Sequence, residues 1–132
     1  LVAIVVSVYA RIHKVSPVSG TLTFTCSYFV APAGDVIFAI LGSDRILYTP
    51  IDGNIGKEYA ARVVKGTAWN VAKVRVGKCK RYARYTIPKR FAKQLGISGE
   101  DYLLVLGLGE ELHAIPVRYL LEKVGKFREP LL

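Results

Sequence analysis

Apolar residues along this chain fall in short runs, each closed by glycine, proline or a polar cluster. Residues 2–12 are continuously apolar at first and then alternate, which predicts a strand. Residues 13–20, with Pro17 and Gly20, read as a turn region. In 21–25 Leu22 and Phe24 alternate with threonines, the period of a half-buried strand. Pro32 and Gly34 exclude a long helix from 27–34. Residues 36–41 read as a buried strand, 42–45 as a hairpin turn and 46–49 as the returning strand, ending at Pro50. The segment 57–65 fits a helix or a strand equally well, and Gly66 ends it. From 73 to 116 the pattern is strand, basic turn, strand, short helix, glycine stop, strand, hairpin, strand. Val117, Leu120, Leu121 and Val124 then recur at helical spacing, with Pro116 suited to a first turn and Gly125 to a stop.

Two stretches echo each other. DVIFAILGSDRILYTPI (35–51) and DYLLVLGLGEELHAIPV (101–117) both run from Asp through an apolar strand to Gly42 or Gly107, then return to Pro50 or Pro116. One residue of slippage is needed between the Asp and the Gly. Upstream, 20–24 can lie beneath 83–87, and 9–18 beneath 74–83. The first copy is about five residues shorter where the second has its helix, 88–96. The chain therefore divides into a degenerate copy (1–50), a linker (51–72), a second copy (73–117) and a C-terminal helix and tail (118–132).

A length of 132 residues suits one compact domain or two small intertwined ones, and 52% hydrophobic residues are enough for a core. The formal charge is +9. Residues 73–93 hold nine cations (Lys73, Arg75, Lys78, Lys80, Arg81, Arg84, Lys89, Arg90, Lys93) and no acid, so the whole excess sits in one stretch. Clustered positive charge favours a polyanion, either nucleic acid or an anionic membrane surface. The apolar start, LVAIVVSVYA, is too short to span a bilayer and has no basic leader. A buried strand, no membrane and a cytoplasmic location are the expectations.

Little points to catalysis. No nucleophile elbow, P-loop, dinucleotide fingerprint or HExxH occurs. Glu110 and Glu111 read as a solvated turn. Gly107-Leu108-Gly109 is a hairpin with no helix behind it to cradle phosphate. His13, His113, Cys26 and Cys79 lack metal-ligand spacing. Each cysteine reads as a small buried side chain, with a disulfide between them left open. The expectation is no enzyme, no cofactor and no metal. Trp69, just before the basic strand, is expected in a core or an interface.

Ala83-Arg84-Tyr85-Thr86-Ile87-Pro88, then Phe91, Leu95-Gly96-Ile97 and Gly99-Glu100-Asp101, together resemble the AbrB/SpoVT swapped-hairpin family of DNA-binding proteins. The match covers about a third of the chain. It implies a mostly β, pseudo-two-fold swapped-hairpin barrel formed by two internal copies, with short helices. It implies a transcription regulator that binds double-stranded DNA through Lys78, Lys80, Arg81 and Arg84, with Lys89, Arg90 and Lys93 on or near the short helix. Asp101 matches the family's turn acid, which positions backbone. Of Tyr82 and Tyr85, at least one must pack inward. The first copy has one cation in 14–20 and none in 21–34, so only one half is DNA-competent, and a full operator takes a homodimer of such chains. The alternatives are an antitoxin, whose usual acidic tail is missing here, a protein-interaction module on the same barrel, and a small barrel enzyme.

Overall fold

The computed structural model describes residues 8–66 and 68–128, and the side chains of the last helix as far as Lys123. In chain order the elements are β1 (Tyr9–Lys14), β2 (Ser16–Val18), β3 (Thr21–Cys26), β4 (Val36–Leu41), β5 (Ile46–Pro50), α1 (Asn54–Val64), β6 (Val71–Arg75), β7 (Gly77–Cys79), β8 (Tyr82–Ile87), α2 (Lys89–Leu95), β9 (Tyr102–Leu108), β10 (Glu111–Pro116) and α3 (Val117–Arg128). The protein is mostly β. Its strands form two antiparallel sheets, ordered β1-β9-β10-β5-β4-β6 and β2-β3-β8-β7. Neither sheet closes on itself, so the expected barrel is, among the described residues, a pair of open sheets.

Exchanging β1–β5 for β6–β10 leaves both strand orders unchanged. The axis of that exchange passes through two cross-strand pairs, Phe24–Tyr85 and Leu47–His113. Around the first, Leu22–Ile87 and Cys26–Ala83 trade places. Each half lends its first strand to the other: β1 pairs with β9, and β6 with β4. Two matching hydrogen bonds fasten the exchange, Val15 N–H to the Asp101 carbonyl (2.9 Å) and Val76 N–H to that of Asp35 (2.8 Å).

The pairing corrects the register read from the sequence. Asp35 and Asp101 are equivalent, as are Pro50 and Pro116, but Gly107 matches Leu41 and no slippage is needed. Upstream, 9–18 lies beneath 70–79 and 20–24 beneath 81–85. Upstream, the sequence alignment was off by two and four residues, both even. Side-chain alternation has a period of two, so an even shift keeps every residue on its face and the pattern cannot detect it. Residues 13–20 are also mostly strand. Pro17 is accepted because β2 is an edge, where a missing N–H breaks no ladder. The expected linker contains α1 and the first two residues of β6. Helix wins over strand there because Ile55, Tyr59 and Val63, one turn apart, cover Phe38, Ile40 and Val71 on the outer face of β4 and β6. Gly56 lets this helix sit close: a Cβ there would lie 2.0 Å from the Pro50 carbonyl oxygen.

The main core fills the space between the sheets. Phe24, Tyr48 and Tyr85, all fully buried, meet with ring centroids 5.1–5.6 Å apart. The Tyr85 hydroxyl donates to the Tyr28 carbonyl (2.7 Å) and accepts from the Val30 N–H (3.1 Å). This explains why equivalent positions hold Phe and Tyr. The irregular loop 27–35 leaves backbone groups that need a partner, whereas α2, at the corresponding place in the second half, satisfies much of its own backbone. Trp69 is 73% exposed and belongs to no core.

α3 continues directly from β10 and runs past Gly125, the expected stop. Arg118 donates to the carbonyls of Leu95 and Gly96 and pairs with Asp101 (3.4 Å), whose carboxylate also accepts from the Ser98 N–H (2.6 Å). Lys123 reaches Asp44 in the β4–β5 turn (3.1 Å). The hydrogen bond from Arg45 lowers the Asp44 pKa from 3.8 to about 2, with Lys123 adding to the effect against the opposing pull of burial. A depressed carboxyl pKa stabilises the fold above about pH 4, and that contribution is lost as pH falls toward 2. Asp44→Asn should therefore cost about 1 kcal/mol at neutral pH and almost nothing at pH 2, as read from thermal melts at the two pH values. No described helix is long and apolar enough to cross a membrane.

Candidate nucleic-acid interface

The β7–β8 hairpin turns on two residues, Lys80 and Arg81, closed by the pair Cys79–Tyr82. Tight hairpins need positive φ to match the right-handed twist of their strands. Lys80 takes φ 57° without being glycine, and its equivalent in the β2–β3 hairpin, Ser19, takes φ 49°. Holding a lysine there costs about 1–2 kcal/mol. Lys80→Gly should thus melt no lower than wild type while binding a polyanion more weakly, which separates charge from folding.

Paired residues share a face of the sheet. Ala83, Tyr85 and Ile87 point into the core and are fully buried, so Tyr82, Arg84 and Thr86 face outward. Tyr85 is thus the inward tyrosine. Arg84 is paired with Gly77, where a Cβ would lie 3.3 Å from that of Arg84. The arginine stem therefore crosses the glycine closely, and its Nε is buried without a hydrogen-bond partner. Gly77 was not singled out from the sequence. A glycine inside a basic strand was the available signal. Arg81 lies beside Tyr82, donating to its hydroxyl (3.2 Å) with the guanidinium 5.3 Å from the ring centroid. Lys78 is paired with inward Ala83, but β7 is an edge strand and the lysine is exposed.

The seven expected DNA-binding residues do not form one patch. Lys78, Lys80 and Arg81 sit at one end of β8, with Arg84 on its outer face. Lys89, Arg90 and Lys93 lie beyond the other end, about 20 Å away along a six-residue strand. Lys89 and Lys93 are exposed one turn apart. Arg90 has a structural task, donating to the Val71 carbonyl (2.7 Å) and lying over the Phe91 ring (5.0 Å). Ion pairs to carboxylates are made by Lys14, Arg45, Arg118, Lys123 and His113, and none among the described residues involves these seven. No described carboxylate neutralises these seven side chains. In the equivalent β2–β3 hairpin, Lys78, Lys80, Arg81 and Arg84 correspond to Pro17, Ser19, Gly20 and Thr23.

No family model, curated protein or solved structure matches the chain.

The remaining candidates are spoken for. His13 bonds to the Tyr9 hydroxyl (2.7 Å), and His113 contacts Arg45 and Glu111. No three His, Cys, Asp or Glu side chains among the described residues are grouped to hold a metal. Both cysteines are free. They sit on opposite faces, Cys26 inward beside Ala83 and Cys79 outward beside Tyr82. Burial pushes the Cys26 thiol up to about 11, which suppresses its thiolate. Glu110 does more than face solvent: it accepts from the Asn54 N–H (3.2 Å) at the start of α1.

Proposed function

We propose that this protein binds double-stranded DNA through the β7–β8 hairpin and acts as a transcription regulator. The observation that carries the reading is the hairpin itself. Lys78, Lys80 and Arg81 are exposed at one rim, Arg84 stands beside them on the outer face, and no described carboxylate pairs with any of them. Lysine and arginine release counterions from phosphates, and an arginine fork can also read guanine edges. The exchange of β1 and β6 between halves supports kinship with the AbrB/SpoVT swapped-hairpin proteins that residues 83–101 resemble. Two chains, each bringing one basic hairpin, make up a full operator complex. This function belongs in the cytoplasm.

Titration of wild-type protein against genomic duplex fragments tests the reading. Engaging four phosphates predicts an affinity loss of about a hundredfold between 50 and 200 mM salt. Binding that ignores salt, or no binding at 50 mM, refutes it.

One observation favours a second reading, a protein-interaction module. Val8, Ile12, Tyr102 and Leu108 share the outer face of β1 and β9 and are 45–62% exposed, whereas the equivalent face of β4 and β6 lies under α1. A protein partner docked there would be held independently of salt, and Ile12→Asp would release it.

A further inference from the structure

We infer that a single chain engages DNA through only one of its two hairpins, and that the β2–β3 hairpin at the other end of the four-stranded sheet is a vacated half-site. The inference rests on the DNA-binding reading above and specifies how that site reads its partner. The axis through Phe24 and Tyr85 carries one hairpin onto the other. Their turns project from opposite ends of the sheet, separated by nine residue steps along β3 and β8, or about 30 Å. One turn of B-DNA is about 34 Å, so the two turns are spaced to meet successive grooves on one side of a duplex. The backbone has kept this arrangement, with positive φ at both Ser19 and Lys80, although Gly20 is left-handed where its equivalent Arg81 is not. The side chains have not. Pro17, Ser19 and Gly20 are exposed and uncharged where Lys78, Lys80 and Arg81 stand in the second half. α2 does not restore the symmetry. Lys89 and Lys93 lie toward the end that carries the uncharged hairpin, where Ile87 pairs with Leu22, but they belong to a helix with no counterpart in the first half and so do not repeat the basic hairpin. The site bound by one chain therefore lacks a dyad, although the backbone that binds it has one.

Returning charge to the neutral hairpin tests this. Pro17→Lys with Ser19→Lys places lysines opposite Lys78 and Lys80, at exposed positions, one of them in a backbone conformation that Lys80 already adopts. In complexes of one chain per duplex, confirmed by native mass spectrometry, the hydroxyl-radical footprint should lengthen on one side by about one helical turn, some 10 base pairs. The salt slope should steepen by about 1.8. The same added charge on α1, through Ala61→Lys with Val64→Lys at exposed positions, should leave the footprint length unchanged. An unaltered footprint from the hairpin variant, or a dyad-symmetric one from a single wild-type chain, overturns the inference and leaves DNA binding standing. A wild-type chain that protects no duplex overturns both.

Discussion

If the hairpin binds duplex DNA, replacing Lys78, Lys80 and Arg81 together with alanine should lower that affinity a few hundredfold near 0.1 M salt and flatten the salt slope by about 2.7. The size follows from counterion release alone, with three phosphates no longer neutralised. The fold has little stake in these side chains. All three are exposed, and none pairs with a described carboxylate. Arg84 is left in place because its stem packs over Gly77, so its removal would mix packing with charge. A salt-dependent gel-shift titration and a thermal melt of the same variant are the two measurements. Unchanged affinity with an unchanged melt would move the interface elsewhere. A lowered melt would mean that the hairpin is structural.

Phe24→Ala costs about 3–5 kcal/mol and unfolds both halves in one transition. The ring is fully buried on the axis between the halves, 5.4 Å from Tyr85 and 5.6 Å from Tyr48 by centroid. Truncation opens a cavity shared by β3, β5 and β8, and the strands exchanged between halves prevent either from relaxing alone. Tyr85→Phe is milder, about 1–3 kcal/mol, because it keeps the ring and orphans only the Tyr28 carbonyl and the Val30 N–H. Chemical denaturation followed by circular dichroism and by tyrosine fluorescence checks both variants. Two separated transitions for Phe24→Ala would show that the halves hold together independently.

Much of this molecule is legible in one dimension, because local patterns carry it. Alternation around Leu22 and Phe24, the apolar hairpins ending at Pro50 and Pro116, and the run of nine cations all depend on neighbours within a few residues. So does the echo between 35–51 and 101–117, since equivalent strands must bury equivalent faces. Those features were enough to expect a mostly β chain of two related halves with its positive charge in the second.

The rest was settled by contacts between residues far apart in the chain. Alternation repeats every two residues, so only the ladders of hydrogen bonds could choose between registers that differ by an even shift. Charge counted along 73–93 could not reveal that β8 holds its cations at two ends, because distance along a strand is not proximity in space. Arg90 looks like any other cation in sequence, and it is the Val71 carbonyl, brought close by folding, that gives it a structural task. Gly77 acquires meaning only once Arg84 crosses it. Two open sheets in place of a closed barrel are likewise a property of which edges meet, and edges meet through the whole fold.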